Sequence, residues 1–232
     1  MEAHERAVRE QIDYYRARAG EYDEWFLRQG RYDHGPELNA VWWLEVQRAR
    51  AALDAFAPVG RVLELACGTG LWTGELLTHA EHVTAVDAGP EVLAIHASRY
   101  PERVARVQAD IFAFEPEERF DVVFFSFWLS HVPPERFAAF WDLVGRCLVP
   151  GGRAFFVDSL REETSTASNH RLPDEGSAIQ VRILNDGRRY QIVKVYHEPA
   201  SLAAAVAELG WTSDIHATGR YFVYGEARPP RR

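Results

Sequence analysis

Short apolar runs alternate with helical segments from Arg61 onwards, and this alternation constrains the fold more than any other feature. The runs predict strands at 62–66, 82–87, 104–109, 121–126 and 153–158, with helices at about 71–79, 90–99 and 134–148. Strands that alternate with helices are typical of βαβ units on a parallel sheet. A continuous apolar run such as Val122–Phe125 fits a strand that is covered on both faces. The sequence therefore predicts an α/β fold.

The alternation stops after Asp158, and the last part of the chain follows a different pattern. A polar stretch at 159–176 predicts a loop. Segments 179–184 and 190–196 flank Asn185-Asp186-Gly187, a turn sequence that predicts a β-hairpin. A helix at about 200–209 then leads to strands near 213–218 and 220–224. These two strands are too close together for a parallel crossover, so one of them must run antiparallel.

Composition narrows the class of protein. Of the 232 residues, 47% are hydrophobic and 26% are charged, which is ordinary for a globular domain. The net charge of −8 argues against a nucleic-acid partner, and no apolar run is long enough to span a membrane. Two cysteines, Cys67 and Cys147, lie in apolar contexts that suit free thiols. We therefore expect a cytoplasmic protein with no nucleic-acid or membrane partner.

The first predicted strand runs into a glycine turn, within VLELACGTG at 62–70. Gly68 and Gly70 allow a sharp bend and a close approach of a ligand to the backbone. A generic tight turn is the alternative. The Gly-x-Gly-x-x-Gly pattern of a dinucleotide site is missed by one residue, because Thr73 precedes Gly74; this argues against a nicotinamide-dependent oxidoreductase. An acidic residue, Glu64, lies four positions before Gly68.

Acidic residues also follow the next two predicted strands. Asp87 ends the second strand, where a carboxylate can accept hydrogen bonds from both hydroxyls of a ribose. Asp110 and Ile111 follow the third strand, where they can receive an adenine amino group and pack against its ring. For each aspartate a helix cap or turn is an equal alternative. The carboxyl ends of parallel strands meet at one edge of the sheet, which is where such folds bind ligands.

In combination, the Glu64–Gly70 turn, Asp87 and the Asp110-Ile111 pair resemble the class I S-adenosylmethionine-dependent methyltransferases, from about 62 to 158. The resemblance implies a Rossmann-like three-layer sandwich with a seven-stranded, mostly parallel sheet whose last strand is antiparallel. It also implies S-adenosyl-L-methionine (SAM) as cofactor, with S-adenosyl-L-homocysteine (SAH) as product. The implied cofactor-binding residues are Tyr22, Glu64, Ala66, Gly68, Gly70, Asp87, Ala88, Asp110, Ile111 and Ser126.

The resemblance further implies that the helical residues before the first strand cover the site. We expect an N-terminal helical lid segment at 1–60 and a methyltransferase domain at 61–232, with a hairpin insertion at about 178–197. Aromatic walls suit flat acceptors and attract a sulfonium charge, although most aromatic residues belong to the core. Candidate acceptor-binding residues are Tyr14, Trp25, His34, Trp42, Phe127 and Trp128.

His131 follows the fourth predicted strand and is the candidate catalytic base, because imidazole titrates near neutral pH. The alternative is that it caps a turn or shapes the pocket. This segment lacks the Asn/Asp-Pro-Pro-Tyr/Phe motif of members that modify amides or exocyclic amines. Scattered histidines predict no metal site.

The sequence predicts O-, N- or S-methylation of a small aromatic or heteroaromatic molecule by a monomer or homodimer. The alternatives are a non-catalytic cofactor-binding module or an RNA methyltransferase.

Overall fold

The computed structural model describes residues 2–174 and 176–230. The strands are β1 (Gly60–Leu65), β2 (Ala80–Asp87), β3 (Val104–Gln108), β4 (Phe120–Ser126), β5 (Leu148–Ser159), β6 (Ile179–Ile183), β7 (Arg189–Val193), β8 (Thr212–Ala217) and β9 (Phe222–Arg228). The α-helices are α1 (Glu2–Ala17), α2 (Tyr22–Phe26), α3 (Pro36–Phe56), α4 (Thr73–Leu76), α5 (Pro90–Arg99), α6 (Phe137–Cys147) and α7 (Pro199–Glu208). In the described part of the chain, no helix has the length and apolarity that a membrane span requires.

Seven strands form one sheet in the order β3-β2-β1-β4-β5-β9-β8. The first five of these pair in parallel, whereas β9 runs antiparallel to both β5 and β8. This arrangement confirms the expected Rossmann-like α/β fold with an antiparallel last strand. Strands β6 and β7 form a separate hairpin, as the Asn185-Asp186-Gly187 turn predicts.

The apolar core lies on both faces of this sheet, which explains the continuous apolar run in β4. Phe124 packs with Trp72 and other residues on the face that α3 covers. The next residue, Phe125, packs against Phe140 and Trp141 of α6 on the opposite face. Successive side chains of a strand point to opposite faces, so both must be apolar when helices cover both sides. The two core clusters and the sheet between them form the three layers.

Several element boundaries differ from those expected. Helix α4 is only four residues long, although a helix was expected over 71–79. Residues Pro134–Arg136 form a 3-10 turn before α6 begins at Phe137. Strand β5 begins at Leu148 rather than Arg153, because the backbone continues through Gly151 at φ 82° and the register with β4 shifts there. The predicted boundaries were therefore wrong where local turns decide them, whereas the predicted order of the elements was correct.

A buried carboxylate ties helix α3 to the start of β9. Glu45 is 2% exposed, and it accepts hydrogen bonds from the Thr218 hydroxyl at 2.5 Å and from the Arg220 and Tyr221 amides at 2.8 Å each. We expect Glu45→Gln to lower the free energy of unfolding, measured in urea, by about 1–2 kcal/mol. The substitution replaces one carboxylate oxygen, which accepts hydrogen bonds, by an NH₂ group, which can only donate them. The exposed Glu102→Gln variant makes the same change in net charge. Equal stabilities of the two variants would contradict this role for Glu45.

Candidate functional site

Two adjoining cavities lie at the carboxyl edge of the parallel strands. The first cavity is bounded by the ends of β1, β2 and β4 and by α1. The second cavity extends towards the β6–β7 hairpin. Four side chains line both cavities and mark the junction between them: Tyr15, Tyr22, Phe127 and His131.

Most of the residues expected to bind a cofactor line the first cavity. They are Tyr22, Ala66, Gly68, Asp87, Ala88, Asp110, Ile111 and Ser126. They come from five separate segments of the chain: Tyr22 lies on α2, and the other four segments lie at the ends of β1 to β4, which the sheet brings together at one edge. Gly68 has φ 54°, and a Cβ atom there would lie 3.4 Å from the Tyr22 ring. A larger residue would strain this turn and crowd Tyr22.

Asp87 ends β2 on the wall of the first cavity. Its two carboxylate oxygens accept hydrogen bonds from the Gly68 and Gly89 amides, at 2.9 Å each. Burial raises the pKa of this carboxyl, and the backbone amides oppose the shift. The two carboxylate oxygens together have about four lone-pair sites, so the group can still accept a hydrogen bond from a ligand. The two interpretations of Asp87 are therefore compatible, since it holds the turn and also faces the cavity.

Asp110 and Ile111 follow β3 on the same wall. The Asp110 carboxylate accepts a hydrogen bond from the Phe112 amide at 3.0 Å, which caps the 3-10 turn Ile111–Ala113. Ile111 is buried and belongs to the core cluster on the α6 face of the sheet. The cap orients the carboxylate, and the apolar side chain beside it provides a flat contact surface. This pairing suits a heteroaromatic ring that carries an amino group.

Two residues expected to bind a cofactor lie behind the cavity wall instead. Glu64 is 1% exposed and accepts a hydrogen bond from the Thr73 hydroxyl at 2.6 Å; burial raises its pKa to about 8. Gly70 faces Tyr100, whose ring would lie 2.7 Å from a Cβ atom there. The structure therefore places both residues in the support of the glycine turn, and neither lines the first cavity.

The candidate acceptor residues are dispersed. Phe127 lines both cavities, Trp128 lines the first and Trp25 lines the second. His34 lies in a separate outer cleft and contacts the Thr166 carbonyl at 2.9 Å. Tyr14 and Trp42 are fully buried and line neither cavity. Tyr14 packs on Leu184 and Ile192 of the hairpin segment, and Trp42 packs against Phe222 of β9.

His131 is buried at the junction with both ring nitrogens engaged. Its Nδ1 lies 2.7 Å from the Val193 carbonyl, which can only accept, so Nδ1 carries the proton. Its Nε2 lies 2.7 Å from the Tyr15 hydroxyl and therefore accepts from it. Burial, together with the charge of Lys194, lowers the pKa of the imidazole well below its usual value. This geometry leaves no nitrogen of His131 directed at a ligand, which favours the pocket-shaping alternative.

Three cations surround the second cavity, and none of them was expected from the sequence. Arg18 is 7% exposed and lies among the rings of Tyr14, Tyr22 and Tyr32, at 5.7, 5.0 and 5.8 Å. Within the described residues its Nε has no hydrogen-bond partner. The sequence contained one signal that Arg18 faces the cavities. Gln11, Tyr15 and Arg18 are four and three residues apart, and residues with this spacing share a helix face.

The other two cations come from the hairpin region. Arg182 on β6 donates to the Thr166 hydroxyl at 2.5 Å and to His170 Nδ1 at 3.1 Å. Lys194 donates to the Ser130 hydroxyl at 2.7 Å and lies 3.8 Å from the Asp158 carboxylate. Among the described residues, no acidic side chain lines the second cavity. The cavity therefore carries an excess of positive charge.

Comparison with known proteins agrees with this geometry. Residues 62–152 match a family described as a methyltransferase domain. The chain is similar to the ubiquinone biosynthesis O-methyltransferase of Xylella fastidiosa (strain 9a5c), with 31% identity over 202 residues that cover 79% of this chain and 78% of that protein.

Solved structures give the same result over the whole length. The chain is similar to DhpI in its complex with SAH, with 35% identity, a TM-score of 0.78 and coverage of 98% and 99% of the two chains. A second DhpI structure contains SAM and HEP and is 36% identical. The Burkholderia thailandensis 1,6-didemethyltoxoflavin-N1-methyltransferase is 23% identical, with a TM-score of 0.55 and coverage of 80% and 78%, and it supports the fold alone.

Proposed function

The chain belongs to the class I S-adenosylmethionine-dependent methyltransferases, and from this premise we propose that it methylates an oxygen of a small anionic acceptor. The observation that carries the proposal is the charge of the second cavity. Arg18, Arg182 and Lys194 surround it, and none of its described lining residues is acidic. Buried cations are costly unless an opposite charge pairs with them. Asp158 lies 3.8 Å from Lys194, whereas Arg18 and Arg182 have no acidic partner among the described residues. An acceptor anion provides that charge, which an uncharged aromatic acceptor would not.

The first cavity suits SAM. We assign the ribose hydroxyls to Asp87, whose fixed carboxylate faces the cavity, and the adenine to Asp110 and Ile111. Gly68 leaves room for a ligand beside the backbone. When bound, SAM supplies a methyl carbon on a sulfonium. The acceptor oxygen would form the new O–C bond with its lone pair as the C–S bond breaks, and the electron pair of the C–S bond would stay on the sulfur of SAH.

The residues of the second cavity hold the acceptor and orient it. Arg18 and Lys194 bind the anion in the second cavity. Tyr15 and Phe127 line both cavities and therefore lie between the bound anion and the first cavity. Holding two reactants in register can supply several kcal/mol of the barrier, about 7–11 in favourable cases. An anionic oxygen already carries the attacking lone pair. It therefore needs no base, in keeping with the engaged nitrogens of His131.

Helix α1 acts as a lid in this proposal, whereas α3, in the same N-terminal segment, belongs to the core. Helix α1 lies against the hairpin, where Gln11 accepts from the Val193 amide at 3.1 Å and Glu10 accepts from the Gln191 amide at 2.9 Å. On its other side, Arg16 pairs with Glu91 of α5 at 2.9 Å. The helix therefore bridges the hairpin and the cofactor side of the sheet. Such a cover excludes water, which strengthens the electrostatic interactions inside.

Binding of simple probes tests the acceptor class without knowledge of the natural acceptor. The SAH-saturated protein is titrated calorimetrically with acetate, with inorganic phosphate and with acetamide, the neutral isostere of acetate. We expect at least one of the anions to bind and acetamide not to bind, because only the anions neutralise Arg18 and Lys194. Binding of acetamide as tight as that of acetate, or binding of neither anion, would contradict an anionic acceptor.

The pH dependence of acceptor binding is expected to follow Lys194. Burial lowers the pKa of this ammonium to about 8, against the opposing charge of Asp158. Arg182 and Arg18 also face it and keep their charge throughout this range. Lys194 is charged below about pH 8 and loses its charge as the pH rises further. The KM of a fully ionised acceptor should therefore rise above that pH, while the KM of SAM stays level.

Lys194→Met provides the control for this pH profile. Without the ammonium, the acceptor KM should be raised at every pH and should lose the step that the wild type shows. Steady-state kinetics at fixed ionic strength measure both profiles. A wild-type acceptor KM that does not change across the range, or a Lys194→Met variant that keeps the step, would remove Lys194 from the acceptor site.

A further inference from the structure

Tyr15 occupies the junction between the two cavities. It is one of the four side chains that line both, and its ring contacts Tyr22 at 6.0 Å and His131 at 5.3 Å between centroids. The Tyr22 ring lies at the glycine turn, within 3.4 Å of where a Gly68 Cβ would be. Tyr15 instead has its hydroxyl group beside His131. It is therefore a polar group at the place where a transferred group must pass from one cavity to the other.

The hydrogen-bond network determines which way the Tyr15 hydroxyl points. His131 Nδ1 donates to the Val193 carbonyl at 2.7 Å, so the neutral ring can only accept at Nε2. The Tyr15 proton is therefore directed at Nε2, at 2.7 Å. Burial raises the pKa of the Tyr15 phenol well above its usual value, so the proton stays on the oxygen. The remaining lone pair of that oxygen is free to accept, and Tyr15 has no second proton to donate.

We propose that Tyr15 is a catalytic residue whose phenol oxygen accepts a C–H···O hydrogen bond from the methyl group on the sulfonium, with His131 as the positioning residue that orients it. The proposal rests on the proposed function in one respect, that the methyl group passes through the junction. A methyl group bound to a positive sulfur has polarised C–H bonds, which an oxygen lone pair stabilises. Each such contact contributes about 0.5–1 kcal/mol.

His131 then has a different role from the catalytic base expected from the sequence. It holds the Tyr15 proton away from the junction and so keeps an acceptor directed at the methyl group. A donor in that position would repel the sulfonium. A misoriented hydroxyl should therefore weaken the binding of SAM, which has the methyl group and the positive charge. The binding of SAH, which has neither, should not change.

The ratio of SAM to SAH affinity tests the proposal directly and needs no acceptor. Calorimetric titration of Tyr15→Phe should show SAM binding weakened by about 2–5-fold, the equivalent of one C–H···O contact, with SAH binding unchanged. Tyr14→Phe removes a hydroxyl from the neighbouring residue of the same helix, which faces the hairpin, and should leave the ratio as in the wild type. A loss shared equally by both ligands, or no loss at all, would overturn the role of Tyr15.

Variants of His131 separate orientation from packing. His131→Gln retains a donor for the Val193 carbonyl and an acceptor for Tyr15, so the affinity ratio should be preserved. His131→Leu removes the acceptor and should lower the ratio as Tyr15→Phe does. Equal ratios in the two His131 variants would contradict the positioning role. Failure of the wild type to bind SAM would reject the cofactor assignment itself, whereas SAM binding with an unchanged ratio in Tyr15→Phe rejects only this proposal.

Discussion

Replacement of Arg18 by leucine is expected to raise the KM of the anionic acceptor by at least about 30-fold while leaving SAM binding unchanged. The guanidinium is buried, donates to two neutral oxygens, the Tyr22 carbonyl and the Tyr32 hydroxyl, and has an Nε without a hydrogen-bond partner among the described residues. Removing one member of a buried, hydrogen-bonded charge pair costs about 2–5 kcal/mol, which corresponds to a factor of about 30 or more. Steady-state kinetics with each substrate varied in turn measure the two constants.

Arg16→Leu is the matched control, because Arg16 lies two residues earlier, in the last turn of α1, and pairs with Glu91 at the surface. The acceptor KM of this control should match that of the wild type. Arg18→Leu should also fold at least as stably as the wild type, since it removes a buried cation that lacks an acidic partner. A normal acceptor KM in Arg18→Leu, or an equal rise in both variants, would show that Arg18 does not bind the acceptor.

The second large effect is expected at Asp87. Asp87→Ala should weaken both SAM and SAH by about 10–150-fold, because it removes a charged acceptor worth about 1.5–3 kcal/mol. It also leaves the Gly68 and Gly89 amides without the carboxylate that holds them. Calorimetric titration measures both affinities. SAM and SAH should lose equally, in contrast to Tyr15→Phe, since the ribose is common to both ligands.

Asp214→Ala removes the same charge from the exposed edge strand β8 and should bind SAM as the wild type does. The anion probes should still bind to Asp87→Ala when it is saturated with SAH. Arg18→Leu should therefore affect binding of the acceptor alone, and Asp87→Ala should affect binding of SAM and SAH alone. Cofactor affinity in Asp87→Ala equal to that of the wild type would remove Asp87 from the cofactor site.

The cofactor side of the site could be predicted from the sequence because strand ends determine it. Asp87 and Asp110 each follow a parallel strand, and the topology of the sheet brings them to one edge whatever the loops do. Glu64 has the same kind of position at the end of β1, yet its side chain points to Thr73 behind the wall. Sequence spacing gives the strand end, whereas the direction of each side chain there depends on tertiary packing.

The acceptor side could not be predicted because it depends on helix phase and on contacts between distant segments. Tyr14 and Tyr15 are adjacent in the sequence, yet Tyr14 packs on the hairpin and Tyr15 faces the cavities. Arg18 and Lys194 are far apart in the sequence and meet only because α1 docks on β7 through Val8 and Val193. The net charge of −8 gave no sign of a local cationic cavity. The aromatic residues did not reveal the acceptor site either, because core residues and cavity residues look alike in the sequence; Trp42, for example, belongs to the core.

Methyl transfer to matched pairs of acceptors is the most direct test of the account. The protein is incubated with SAM carrying a deuterated methyl group and with small carboxylates and phosphate monoesters, each beside its neutral amide or alcohol counterpart and beside neutral phenols. Mass spectrometry then detects the labelled methyl group in the products. We predict labelled methyl esters of anions and no labelled product from their neutral counterparts. Labelled products from neutral phenols, amides or alcohols, with none from any anion, would contradict the proposed function.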